Sequence, residues 1–143
     1  GCTSLVNAPE LPATTLADYC YNTMFMYCTS LVNAPKLPVT TMKQGCYRMM
    51  CRYCTSLVTA PELPAATLAE QCYQMMFMGC SKLKNVTMLA TDVTANLCLD
   101  MWLDGVAANG TFYKSSDLTD LSTLQIPEGW IVTDYNEEPE SEM

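Results

Sequence analysis

Nine cysteines are the residues of this chain best suited to chemistry. Eight of them form two series in which each step is 26 residues, namely Cys2, Cys28, Cys54 and Cys80, then Cys20, Cys46, Cys72 and Cys98. Stacked equivalent positions would place neighbouring Cβ atoms about 4.8 Å apart, longer than the roughly 3.5–4.5 Å of a relaxed disulfide. We therefore expect free thiols that act as small buried hydrophobic residues. Cys51 stands outside both series.

A metal centre is the next chemistry to consider, because Cys51-Arg52-Tyr53-Cys54 is a Cys-x2-Cys pair. A closed zinc site needs four ligands, usually two such pairs or a pair with histidines. The chain contains no histidine, and this pair has no partner pair. We predict no metal site and no cofactor, with redox use of the pair as the alternative reading.

Catalytic constellations are missing from the sequence. Without histidine, neither a Ser-His-Asp triad nor a Cys-His pair can form. Asp100 and Asp104 lie four residues apart and could in principle act as an acid–base pair, but the spacing also fits the solvated face of a helix. There is no glycine-rich phosphate loop. We predict that the protein is not an enzyme.

Two sets of surface residues are candidates for binding. The first lies on the predicted strand side, where Val6, Val32, Val58 and Lys84 precede the outward positions Asn7, Asn33, Thr59 and Asn85. The second is basic and holds four of the seven positive charges of the chain, at Lys36, Lys43, Arg48 and Arg52. On a protein of net charge -8, such a local reversal of sign favours an anionic partner. For both sets, an ordinary solvated surface is the alternative.

The elements that must position these residues come from the 26-residue repeat. Proline-rich segments such as 31–38 are predicted to be extended, because each proline disfavours helix at the residue before it. The strands must be very short, because proline cannot donate to a ladder. From Thr14 to Met26, the spacing of Leu16, Cys20 and Met24 favours a helix. A period in the twenties is typical of leucine-rich repeats. We predict an α/β repeat solenoid, right-handed, with very short parallel strands on one side and short helices on the other.

The predicted solenoid covers residues 1–135. Its coils begin near residues 2, 28, 54 and 80, and a degenerate capping coil begins at about residue 106. Trp130 is expected to lie over the last coil. Residues 136–143 are acidic and contain almost no apolar side chains, so we predict a disordered tail.

Three stretches of the first coil carry a family resemblance: Gly-Cys-Thr-Ser-Leu, then Ala-Pro-Glu-Leu-Pro-Ala-Thr-Thr-Leu-Ala, then Cys-Tyr-x-x-Met-Phe. They resemble the BspA-type leucine-rich repeats of surface proteins from Bacteroides-like bacteria. The resemblance implies a secreted or lipid-anchored protein that is exposed at the cell surface and binds host or matrix proteins or other cells. It implies no catalytic residues.

Composition and resemblance together predict a non-enzymatic adhesion module. It would recognise a host or matrix protein or a glycan through one face of the repeat array. The alternative is a structural spacer that projects other domains and has no ligand of its own. The acidic net charge argues against nucleic acid as a partner, and no run approaches the roughly 18 apolar residues that insertion into a membrane needs.

Overall fold

The computed structural model describes residues 1–136, in which three short parallel strands form one open sheet. The strands are β1 (Asn85–Met88), β2 (Gly110–Lys114) and β3 (Trp130–Asp134), in the order β1-β2-β3. Val86 pairs with Phe112, which in turn pairs with Val132. The predicted acidic tail, apart from Asn136, lies outside the described residues.

The predicted fold class is wrong. Residues 1–136 contain no helix, so the protein is not an α/β leucine-rich-repeat solenoid with helices on one side. The segment expected to be helical, Thr14 to Met26, instead enters a run of overlapping β-turns at Ala17. In these turns the N–H groups of Cys20, Asn22 and Met24 each donate to the carbonyl three residues back at 3.2 Å.

The turns alternate in backbone conformation. Every second turn has a positive φ at its third residue, with φ of 56° at Tyr19, 63° at Thr23 and 64° at Tyr27. A positive φ at this position is the signature of a type II turn. The same four-residue spacing of positive φ recurs at Gly45, Met49 and Tyr53, at Gln71, Met75 and Gly79, and at Leu97, Met101 and Gly105.

We call this series of overlapping turns, and its equivalents in later parts of the chain, the turn run. Its remaining backbone N–H groups join successive segments of the chain. The N–H groups of Tyr19, Tyr21 and Thr23 donate to the carbonyls of Gln44, Cys46 and Arg48 at 2.8–3.0 Å. Each 26-residue segment, which we call a coil, therefore stacks on the next. The turn run repeats every four residues, so in the second and third coils it buries the i, i+4 and i+8 positions that a helix would bury, namely Met42, Cys46 and Met50, then Leu68, Cys72 and Met76. A run of about a dozen residues cannot distinguish this period from the 3.6 of a helix.

The core lies between the turn run and the opposite side of each coil, where equivalent residues stack in columns. Leu31, Leu57 and Leu83 are fully buried in one column. The rings of Tyr21, Tyr47 and Tyr73 stack in another, with centroids 5.9 and 6.2 Å apart. Burial of a leucine side chain contributes roughly 1.5–3 kcal/mol to the free energy of unfolding, so the repeated columns stabilise the stack throughout its length.

The carboxy-terminal part closes the core with aromatic side chains. Trp102 is fully buried and meets Phe112 edge to face, with ring centroids 5.9 Å apart. Trp130 is 7% exposed, packs against Gly110, and donates its indole N–H to the Ala107 carbonyl at 2.8 Å. Paired residues of β1 and β2 are 26 positions apart in the sequence, as in Val86 and Phe112. Paired residues of β2 and β3 are only 20 positions apart, as in Phe112 and Val132, so the last step of the stack is shorter than the repeat.

Candidate functional site

A column of polar side chains runs along the strand side of the stack. The backbones of Asn7 and Asn33 pair in parallel, and the Asn33 amide donates to the Asn7 side-chain oxygen. Thr59 pairs in the same way with Asn85, whose amide donates to the Thr59 hydroxyl at 3.2 Å. The structure thus brings these four sequence-predicted binding residues onto one side of the stack. The two side-chain hydrogen bonds, one within each pair, restrict the rotamers of these residues.

The pairing extends this column through the sheet. Asn85 pairs with Thr111, and Thr111 pairs with Ile131, whose side chain is 66% exposed. At about 4.8 Å per step, the column from Asn7 to Ile131 is roughly 24 Å long. We call this surface the ladder face, comprising Asn7, Asn33, Thr59, Asn85, Thr111 and Ile131 together with the residue before each of the first three.

Those preceding residues are three valines. Val6, Val32 and Val58 occupy the same position of successive coils and are 46%, 46% and 36% exposed. Single exposed apolar residues are common on proteins, whereas a repeated set beside ordered polar groups is typical of a binding surface. In the sequence, these valines could be recognised as equivalent because they recur at steps of 26 residues.

The structure does not bring the four basic residues into one column. Arg48 belongs to a ladder within the turn run, where its Nε donates to Gln74 at 2.8 Å and the Gln74 amide donates to Asp100 at 2.9 Å. Gln74 is only 6% exposed. Arg48 therefore holds neighbouring coils together, and its donors are partly committed to that role.

The other three basic residues are dispersed. The Arg52 guanidinium lies 4.9 Å from the ring centroid of Tyr53, in a cation–π contact. Lys36 and Lys43 are both exposed, Lys36 in the proline-rich segment and Lys43 next to the turn run. Of the four basic residues, Lys36 and Lys43 are the two that are exposed, as a binding role would require.

A groove of about 750 Å³ lies between the fourth coil and the loop before β3. Four carboxylates line it, those of Asp92, Asp100, Asp117 and Asp120. Asp100, predicted on a helix with Asp104, lies instead in the turn run and closes the ladder that begins at Arg48. Nothing in the sequence marked this groove, because the loop before β3 falls outside the repeat.

Two of the groove carboxylates are held ionised by local turns. The hydroxyl and backbone N–H of Thr94 donate to Asp92 and lower its pKa, and Ser122 lowers the pKa of Asp120 in the same way. A general acid needs a raised pKa, so these two groups are poorly suited to that role. Among the described residues, no three carboxylates or thiols are arranged to hold a metal ion.

The cysteines lie mostly in the core, and all nine are unpaired. Cys2 and Cys20, in the first coil, are exposed, whereas the other seven are buried. Burial raises the pKa of the Cys46 thiol to about 11 and that of the Cys80 thiol to about 12. These thiols are therefore protonated and poorly nucleophilic at neutral pH.

Comparison with known proteins adds no assignment: no family model, no curated protein and no solved structure matches this chain. Within residues 1–136, no helix is long and apolar enough to cross a membrane.

Proposed function

We propose that this protein is a non-enzymatic binding module of the extracellular or cell-surface type, which recognises a protein or glycan through the ladder face. The observation that carries the proposal is the exposure of Val6, Val32 and Val58 at one position of three successive coils. The resemblance to BspA-type surface proteins supports the same class of function.

A protein ligand fits this face better than a glycan. Aliphatic valine side chains gain free energy by excluding water from an apolar partner, at roughly 25 cal/mol per Å² of buried apolar surface. Glycan sites more often offer aromatic rings, whereas this face offers valines alongside amide and hydroxyl groups. A flat partner surface, or an extended segment lying along the column, would meet both kinds of group.

The face also argues against a simple spacer. A spacer needs only stacked coils and polar surfaces, because its outward residues meet water. Three large apolar side chains in equivalent exposed positions cost solubility and gain nothing in that role.

The experiment is adhesion of the purified protein to immobilised extracellular-matrix proteins and to cultured host cells. The triple variant Val6→Glu, Val32→Glu, Val58→Glu should lose attachment at least tenfold. Leu121→Glu is the matched control, because Leu121 is 42% exposed but lies outside the ladder face. Equal attachment of the triple variant and the control would reject the ladder face as the binding surface and favour the spacer.

A further inference from the structure

Cys51 breaks the repeat inside the core. Its position is filled by Phe25 in the first coil and by Phe77 in the third, and all three side chains are buried. The substitution places a second thiol beside a column that already contains Cys54. The equivalent pairs in the flanking coils are Phe25 with Cys28 and Phe77 with Cys80, so only the second coil contains two thiols at this point.

A β-turn brings the two cysteines together. The Cys54 N–H donates to the Cys51 carbonyl at 3.1 Å, which closes the turn, and Tyr53 has the positive φ of 62° expected at its third position. In such a turn the first and fourth Cα atoms lie less than about 7 Å apart. A disulfide needs a Cα separation of roughly 4.4–6.8 Å. The backbone therefore needs little change for the two sulfurs to bond.

From this geometry we propose that Cys51 and Cys54 form a dithiol site that a peroxide oxidises to an intramolecular disulfide, in preference to any pair within the cysteine columns. The column pairs are less suitable, because parallel stacking keeps neighbouring Cβ atoms near 4.8 Å, beyond the relaxed range.

The environment assigns different roles to the two thiols. The Cys51 thiol hydrogen-bonds to the Cys54 sulfur, which raises the pKa of Cys51 and lowers the pKa of Cys54. Thiolate forms more readily at Cys54, so Cys54 is the attacking group and Cys51 the resolving group. Cys54 also donates to the Phe25 carbonyl at 3.1 Å, which orients its side chain towards the first coil.

The chemistry balances with one peroxide. The Cys54 thiolate attacks one oxygen of hydrogen peroxide, the O–O bond breaks, and Cys54 sulfenic acid and hydroxide result. The Cys51 sulfur then attacks the Cys54 sulfur, the S–O bond breaks, and the second hydroxide leaves. Each hydroxide takes up one thiol proton, so two thiols and one peroxide give one disulfide and two waters. Hydrogen peroxide is about the size of water and reaches these buried sulfurs through local opening of the coils.

The test uses the full chain with Cys2→Ser and Cys20→Ser, which removes the two exposed thiols. The protein is treated with one equivalent of hydrogen peroxide, unfolded, alkylated and digested with trypsin. Trypsin cleaves after Arg52, so a disulfide between Cys51 and Cys54 joins peptides 49–52 and 53–82, and fragmentation identifies the linked cysteine. The matched control is Cys51→Phe, which restores the residue found in both flanking coils.

We expect the joined peptides, linked through Cys54, as the main product, and thiol loss at least tenfold slower in Cys51→Phe. Main products that join Cys54 to Cys28 or Cys80, or equal rates of thiol loss in the two proteins, would overturn the proposal. So would full retention of all thiols after ten equivalents of peroxide. Urea midpoints verify that Cys51→Phe is folded, and Cys51→Ala replaces it if it is not.

Discussion

The Tyr19 hydroxyl donates a hydrogen bond to Oε1 of Gln71 at 2.9 Å, although 52 residues separate them. The tyrosine ring spans the coil between them by lying over Gly45, the residue at the equivalent position of that coil. A Cβ atom on Gly45 would lie 2.3 Å from Cε1 of the Tyr19 ring. Glycine at this point thus allows an aromatic side chain to link the first coil to the third.

Gly45→Ala is therefore expected to destabilise the protein. An alanine at φ of +59° costs about 1–2 kcal/mol, and the Tyr19 ring, which is 42% exposed, must move off this position and lose its hydrogen bond to Gln71, which adds about 0.5–1.5 kcal/mol. Gly105→Ala is the control, because φ is +80° there but the nearest atoms to a Cβ are 3.3 Å away. Urea unfolding should show a clearly larger loss for Gly45→Ala. Equal losses would mean that the ring contact carries no energy.

Glycine at a strained exposed position should have the opposite effect. Leu97 has φ of 58° and is 44% exposed, so Leu97→Gly removes about 1–2 kcal/mol of backbone strain and loses only part of a buried side chain. We expect a net stabilisation of about 0.5–1 kcal/mol, measured as a rise in Tm of about 2–4 °C. Leu121→Gly, at a residue that is 42% exposed and does not have a positive φ, should lower Tm instead. A lower Tm for both variants would contradict this account.

Gln74→Leu tests the polar ladder of the turn run. The substitution removes the partner of Arg48 Nε and of the Asp100 carboxylate together. Hydrogen bonds to charged groups contribute about 1.5–3 kcal/mol each, and we expect a loss of about 2–4 kcal/mol in urea unfolding. In the Asp100→Asn background the loss should be smaller, because one charged partner is already gone. Identical losses in the two backgrounds would show that Gln74 and Asp100 are not coupled.

Stability should fall at alkaline pH. The Cys46 pKa is raised to about 11 and the Cys80 pKa to about 12 from the ordinary 9.0, so above pH 9 the unfolded chain releases protons that the folded chain retains. Each such thiol lowers the free energy of unfolding by about 1.4 kcal/mol per pH unit between pH 9 and its folded pKa. Urea titrations from pH 7 to 10.5 should show that the free energy of unfolding falls less steeply with pH in the double variant Cys46→Ala, Cys80→Ala than in the wild type. Val86→Ala, which removes apolar volume without an ionisable group, should keep the wild-type decline.

The two exposed lysines of the basic set allow a functional test that leaves the contacts of both arginines in place. The Arg48 side chain joins two coils through Gln74, and the Arg52 side chain packs on the neighbouring Tyr53, so replacing either arginine would also remove a structural contact. Lys36→Glu with Lys43→Glu changes two exposed charges. If these lysines bind an anionic partner, attachment should weaken severalfold and become less sensitive to salt. Unchanged attachment at low salt would show that the two lysines take no part in binding, and would leave the ladder face as the candidate binding surface.

The sequence allowed the stacking register to be predicted but not the backbone conformation. Equivalent positions such as Val86 and Phe112 pair as the 26-residue spacing implied, because side-chain size and polarity must match within a column. The helix from Thr14 to Met26 was predicted wrongly. Tyr19, Thr23 and Tyr27 adopt positive φ without glycine, so the only turn signal lay in the glycines at equivalent positions of later coils, such as Gly45 and Gly79.

The candidate binding residues likewise include some whose placement could be predicted from the sequence and some whose placement could not. Asn7 and Asn33 repeat, so their alignment could be predicted, and the structure adds only their hydrogen bond. Arg48 could not be assigned from charge alone, because its partner Gln74 is brought to it by the stacking, whereas the ring that Arg52 contacts belongs to the next residue, Tyr53. The acidic groove depends on a loop outside the repeat, where no spacing restricts the geometry.

The backbone hydrogen bonds between coils run along the stacking axis, as in the donation from Tyr19 to Gln44. A mechanical load applied along that axis would therefore pull on a few bonds at a time, and the stack would peel rather than shear. Each released coil of 26 residues would lengthen the molecule by roughly 85–90 Å. Under tension the chain would behave as an extensible tether that yields in equal steps, and one that re-forms coil by coil once the load is removed.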